Sequence, residues 1–299
     1  TSANAAPDDP YVWLEDVLGD RALDWVRAQN ADSQRQLADD ARFERLRTRI
    51  LSILASTARI PAVQKRGAHY YNLWQDAQNP RGLWRRTTLA EYRSEEPAWE
   101  TVLDLDALGK AEGENWVWKG STWLAPDYER CLLSLSRGGA DAVVVREFDA
   151  VAKRFVDGGF ALPEAKSQVS WRGPDELFVG TDFGPGSKTE SGYPRVVKLW
   201  RRGTPLGAAE TIAEGAVEDV FTYGYRDQTP GFERDFVYRG LTFYTNRTFL
   251  LRDGRQIAID KPDSANASVH REWLLIELRE DWTVGGRTHP AGALLAIDF

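Results

Sequence analysis

Cysteine is almost missing from this chain: Cys131 is the only one in 299 residues. A single thiol closes no internal disulfide, so the fold must be held by packing and hydrogen bonding, and a reducing compartment suits it. Histidine is scarce as well. His69, His270 and His289 stand far apart, with no HExxH pair, and a CxxC needs a second cysteine. Those spacings supply no metal-ligand set, and isolated histidines read as structural or surface groups, so neither a metal nor a cofactor is expected. Methionine is absent altogether, which the residues leave unexplained. No apolar run approaches the ~20 residues of a membrane span, so no membrane association is expected. The opening TSANAAP shows neither a basic nor an apolar region, hence no visible signal peptide. The expected location is cytoplasmic, or periplasmic if a leader was removed. GxSxG, the strand-turn-helix nucleophile motif, is also missing.

What is present is a balanced globular composition, 42% hydrophobic and 28% charged, with twelve Trp and twelve Phe to fill a large core. The net charge of -7 argues against a nucleic-acid partner or an anionic membrane. Carboxylate pairs are common, but they fall in turns and helix starts, where capping accounts for them. The segment GPGSKT, Gly184 to Thr189, is the nearest thing to a phosphate loop. Its glycine spacing is wrong, its Lys does not follow a Gly, and Gly192 and Pro194 oppose the helix that would have to follow. It reads as a loop between strands. The sequons at Asn246 and Asn266 matter only in a secreted eukaryotic protein.

The chain changes character near Arg59. Before it, Leu18, Ala22, Trp25 and Val26 lie at helical spacing, and so do Phe43, Leu46, Ile50, Leu51 and Leu54. Asp16 and Asp20 are candidate N-caps, and the first apolar stripe thins through RAQNADSQRQ. Beyond Pro61 come ten short runs rich in apolar, β-branched and aromatic residues: AHYYNLW, GLWRRTTL, CLLSLS, AVVVREF, ELFVGTD, RVVKLW, DFVYRG, TFLL, WLLIELR and ALLAID. Turn clusters such as SRGGAD, FGPGS and KPDSANA separate them, and no helix-length apolar pattern interrupts them. Comparable strands starting near Leu132, Leu177, Phe236 and Leu274 are 45, 59 and 38 residues apart. The mean of about 47 suits the four-stranded blades of a propeller, whereas a sandwich would complete a domain in ~100 residues. Two domains follow: a helical segment over 1–58 and a partial β-propeller over 59–299.

DPYVWLED, Asp9 to Asp16, followed by WVRAQN, Trp25 to Asn30, resembles the start of the prolyl oligopeptidase family of serine peptidases. YYNLWQDAQNPRGLWRRTTL, Tyr70 to Leu89, resembles that family's first blade, and SLSRGGAD and FVGTDFG resemble later strand ends. The resemblance implies a mainly β fold: a helical N-terminal segment, then a seven-bladed type of propeller with about five blades in this chain. An α/β-hydrolase domain carrying Ser, Asp and His is expected C-terminal to these residues and absent from them. It also implies that the propeller gates access of short peptides to an acyl-enzyme site, and that the N-terminal segment packs on the hydrolase domain of the same polypeptide. Trp13 and Leu14 are then expected to look exposed in this chain by itself.

No catalytic residue can be carried over. A propeller arginine that reaches the substrate in the family has its loose counterpart in DFVYRG, which nominates Arg239 for substrate binding, with Arg247 eight residues on. The competing expectation is a strand-end arginine paired with a neighbouring blade. Phe178, Phe183 and Tyr193 are candidates for a cavity-lining aromatic. The alternative function is a non-catalytic propeller that binds a peptide or protein partner.

Overall fold

The computed structural model describes residues 9–16 and 18–299; TSANAAP and Asp8 lie outside the described residues. Two compact units result, Thr1–Ile60 and Pro61–Phe299.

Among its described residues the first unit holds a single 3-10 turn, Val12–Glu15, and two helices, α1 (Asp20–Leu37) and α2 (Ala41–Leu54). α1 runs unbroken through the polar RAQNADSQRQ stretch. That stretch lacks Gly and Pro and is rich in straight-chain helix formers, and Asp24–Arg27 and Asp32–Arg35 pair one turn apart. Capping differs from expectation. Gly19 occupies the N-cap of α1 and Asp20 is its first helical residue, so Asp20 meets the helix dipole without capping. The side-chain cap is at α2, where Phe43 donates its amide to Asp40 at 2.6 Å. Trp13 and Leu14 are half-buried, contrary to expectation. Trp25 meets the Trp13 ring edge-on at 6.1 Å, and the Arg21 guanidinium sits 4.3 Å over it. Among the described residues of this stretch, Tyr11, Val12 and Leu18 are the exposed apolar ones.

The second unit is a run of antiparallel sheets. Blade 1 is β1 (Gln64–Arg66), β2 (His69–Trp74), β3 (Leu83–Thr88) and β4 (Glu100–Asp104), with a short helix, α3 (Leu89–Tyr92), between the last two. Helix α4 (Leu105–Glu112) leads to blade 2, a helix the strand-only reading missed. Asp104 caps it by accepting from the Ala107 amide at 2.9 Å, and Gly113, with φ +68°, ends it.

Blade 2 is β5 (Trp116–Trp123), β6 (Arg130–Arg137) and β7 (Val143–Asp149), with β8 (Arg154–Phe155) and β9 (Ala161–Ala165) both pairing to β7. Blade 3 is β10 (Gln168–Gly173), β11 (Glu176–Gly180), β12 (Val196–Arg201) and β13 (Glu210–Glu214). Blade 4 is β14 (Phe221–Asp227), β15 (Arg234–Gly240), β16 (Asn246–Arg252) and β17 (Arg255–Ala258). The fifth sheet has three strands, β18 (Asn266–His270), β19 (Trp273–Glu277) and β22 (Leu294–Asp298). A hairpin of β20 (Trp282–Val284) and β21 (Arg287–His289) is inserted before the last. Four complete blades and a three-stranded fifth agree with the spacing of about 47 residues.

The spacing anchors Leu132, Leu177, Phe236 and Leu274 sit on β6, β11, β15 and β19, the second strand of successive blades, and all are buried. Each blade covers the next. Trp171, wholly buried on β10, joins Leu132, Val145 and Phe160 of blade 2 and donates its indole N–H to the Thr122 carbonyl of β5 at 2.9 Å. Glu147 of β7 is also buried; it accepts from the Phe160 amide and from both terminal nitrogens of Arg202, which follows β12. A bidentate pair of this kind satisfies a carboxylate that burial alone would penalise.

Candidate functional site

In antiparallel blades, the loop between strands two and three and the linker to the next blade emerge at the same end. Residues 138–142, 181–195 and 241–245 and linkers 166–167, 215–220 and 259–265 therefore gather at one end of the propeller. This end collects most of the candidate residues.

Arg239 lies near the end of β15, opposite Thr222 on β14 and Arg247 on β16. Its Nε and one terminal nitrogen reach the same oxygen of Asp219, at 2.9 and 2.8 Å. Asp219 belongs to the linker between blades 3 and 4, is buried, and also accepts from the Ala216 amide at 2.8 Å. Arg247 forks onto Asp263 of the following linker, with contacts of 2.9–3.2 Å. That fork holds the Asp263 carboxyl below its usual range. Beside it, Lys261 donates to the Asn246 carbonyl at 2.9 Å, and burial lowers its pKa. The two arginines side by side are thus neutralised from opposite linkers. Arg239 keeps one terminal nitrogen beyond the Asp219 contact.

The three aromatic candidates separate. Phe178 is buried with Val197, Leu199 and Val237 between blades 3 and 4. Phe183 packs beside the cluster around Trp171, with the Lys198 ammonium 4.6 Å over its ring. Tyr193 stays at the loop end, its hydroxyl 3.4 Å from Asp141 and Lys166 4.3 Å over its ring. It also stands 6.4 Å from Phe221, which begins a ladder of rings through Tyr223, Tyr225 and Tyr238. Burial raises the pKa of all three tyrosines, so the ladder is neutral at ordinary pH.

GPGSKT joins β11 to β12 as a loop. Gly184 and Gly186 take φ of +102° and +79°, the Ser187 hydroxyl donates to the Gly184 carbonyl, and Lys188 pairs with Asp182 at 2.6 Å. Burial and then the Arg86 charge lower the His69 pKa. Among the described residues no group of three or more His, Cys, Asp or Glu is placed to hold a metal ion. Cys131 is buried, and burial raises its thiol pKa well above the usual value, which suits an inert thiol. Sequence reasoning missed Asp219, Asp263 and Lys261, whose signal was a charged residue in each blade linker.

The family described as prolyl oligopeptidase, N-terminal beta-propeller domain, matches residues 2–231. The chain belongs to the prolyl oligopeptidase family. It is 38% identical to the uncharacterized peptidase y4nA of Sinorhizobium fredii over 99% of this chain and 42% of that protein. It is 27% identical to the uncharacterized peptidase RP174 of Rickettsia prowazekii, over 96% of this chain and 42% of that one. A solved structure of a post-proline cleaving enzyme from Rickettsia typhi superposes with a TM-score of 0.88 at 26% identity, over 96% of this chain and 44% of its own. The chain therefore spans about two fifths of the length of the relatives it matches.

Proposed function

We propose that these residues are the N-terminal and substrate-gating part of a serine peptidase that hydrolyses short peptides through an acyl-enzyme. The family match over residues 2–231, in a chain spanning 42% of a peptidase relative, is the observation that carries this reading. The serine nucleophile, its histidine base and the orienting aspartate would come from an α/β-hydrolase domain of the same polypeptide. The propeller's share is exclusion: a wall of packed blades keeps bulky chains and water from the reacting bond. The apolar face of α2, open in this chain, is the surface proposed to dock on the hydrolase domain. Arg239 is proposed to contact the substrate through its remaining nitrogen, with Asp219 holding the fork in place. A cytoplasmic location belongs to the same proposal, supported by a single, buried cysteine in 299 residues.

The test is turnover of a fluorogenic short peptide by the whole polypeptide, with a folded protein as a competing substrate. Cleavage of the peptide but not the folded protein, blocked by a serine-reactive phosphonate, is expected. A polypeptide that binds peptides without hydrolysing them would replace this reading with the non-catalytic propeller. For Arg239, the expectation for Arg239→Lys is a roughly tenfold loss in kcat/KM with folding intact, about 1.4 kcal/mol of lost substrate contact.

A further inference from the structure

Blades 1 and 2 leave a cavity of about 320 Å³ between their axial strands. One wall is aromatic: the rings of Tyr71 and Trp84 are 5.3 Å apart, and those of Trp84 and Trp118 5.0 Å. At the β5 side the ladder slips between Trp118 and Gly120, and Gly120 takes φ +137°. A Cβ built there meets nothing within 4 Å, so this glycine serves backbone geometry and leaves the space beside it open.

The opposite side carries Gln64 and Arg66 of β1. One terminal nitrogen of Arg66 donates to the Lys65 carbonyl at 2.8 Å and the other to the Gln64 side chain at 3.2 Å, while its buried Nε has no acceptor. Among the described residues Arg234 is the other arginine with a buried nitrogen that lacks an acceptor. Arg86, Arg172, Arg202, Arg239 and Arg247 each meet a carboxylate within 3 Å. Arg66 forms no ion pair with the described residues. A buried cationic N–H without an acceptor is destabilising, and a carboxylate ligand would relieve that through a charge-assisted bond.

An apolar aromatic wall facing a guanidinium selects a carboxylate attached next to an apolar group. The volume is at the small end for ligand sites, room for about one residue. A carboxylate so close to an apolar side chain is what the last residue of a peptide presents. An acidic side chain would offer the same charge on a polar stem. We propose that this cavity binds the C-terminal carboxylate of a short peptide at Arg66, with the last residue's apolar side chain against Trp84 and Trp118. The proposal rests on the reading of the protein as one that handles short peptides.

Calorimetric titration of the whole polypeptide tests it with three probes: N-acetylleucine, N-acetylleucinamide, and N-acetylglutamic acid α-amide, whose only carboxylate is on the side chain. None contains a bond between two amino acids, and the readout is binding heat, so the outcome is independent of whether the polypeptide hydrolyses peptides. N-acetylleucine is expected to bind saturably, and at least tenfold more tightly than either amide. Arg66→Gln should abolish that preference and Arg66→Lys recover part of it, with near-UV circular dichroism unchanged in both. Trp118→Leu should weaken N-acetylleucine and N-acetylleucinamide alike. No saturable binding, equal binding of acid and amide, or a preference that survives Arg66→Gln would overturn the proposal. Tighter binding of the glutamic probe would assign the cavity to acidic side chains instead and overturn the C-terminal assignment.

Discussion

In the propeller, large apolar side chains are buried by the next blade; in the helical unit they face outward. Leu132, Phe148, Trp171 and Phe236 are wholly buried, whereas Leu46, Ile50, Leu51 and Leu54 of α2 are each more than half exposed. Among the described residues before Ile60, Ala22 alone is buried. Both regions carry a clear apolar face, so the pattern itself is not the difference. A blade finds its partner in the next stretch of the same chain. The helices are defined by local devices, the Asp40 cap and one-turn ion pairs such as the solvent-exposed Glu44–Arg47. Such devices shape a helix but bury nothing, and most helical stability in proteins comes from packing.

The sharpest way to break that contrast is at Trp171. Trp171→Ala removes a wholly buried ring from the blade 2–3 cluster and leaves the Thr122 carbonyl without its donor. A loss of about 3–5 kcal/mol is expected, read as a lower urea midpoint in near-UV circular dichroism. A shift under about 1 kcal/mol would mean that neighbouring blades do not depend on one another, and the contrast with the helices would fail.

The same contrast governs what the sequence made legible. All ten apolar runs turn out to be second or third strands, two from each of the five blades. Apart from β22, which edges the three-stranded fifth sheet, those strands have a neighbour on both edges and, in the middle blades, a packed sheet on both faces, so their residues are mostly apolar. First strands read poorly. QVSWRG on β10 and NASVH on β18 border the axis and alternate with polar groups, and outer strands such as RQIA on β17 are exposed throughout. Helix α4 escaped notice because it is only eight residues long, although Asp104 and Gly113 mark its two ends. For the candidate site, DFVYRG singled out Arg239, but its partner Asp219 lies 20 positions upstream, in a linker. Only sheet pairing brings the two together, and no local pattern encodes that. Arg66 carried no signal at all, since a lone arginine on a three-residue strand becomes unusual only once its Nε is seen to be buried without an acceptor beside a cavity.

A smaller effect separates ion pairs that join elements from those within one helix. Arg86 of β3 donates to Glu100 of β4 at 2.5 Å and to the Ala150 carbonyl of blade 2 at 2.9 Å; Lys153 also reaches Glu100. The Arg86 bond, then the Lys153 bond, holds the Glu100 carboxyl down to about 2, against an ordinary 4.5. The folded-state value is depressed, so the pair stabilises the fold fully above pH 4.5. That contribution drains away as pH falls from there towards 2. Glu100 is nearly half exposed, and solvent screening limits the effect to about 1 kcal/mol. Glu100→Gln should lower stability by that amount at pH 7 and flatten its fall between pH 4.5 and 2, as urea midpoints across that range would show. Parallel pH curves for the two proteins would mean that the contact is not stabilising.

The smallest expected effect on this chain is the one that says most about the helices. Leu46→Gln with Ile50→Gln places two polar groups on α2 where both leucine and isoleucine are already more than half exposed. Surface changes of this kind fall within about 0.5 kcal/mol, so urea unfolding of these 299 residues should barely move. The proposed docking gives a different expectation for the whole polypeptide. A leucine buried against a second domain loses about 2–5 kcal/mol on truncation, and polar replacement adds the cost of burying an amide. A large loss of stability in the whole polypeptide beside near-silence in the shorter chain would show that the helical face is completed by residues outside this one. Silence in both would mean that α2 is a solvated helix whose apolar stripe has no partner.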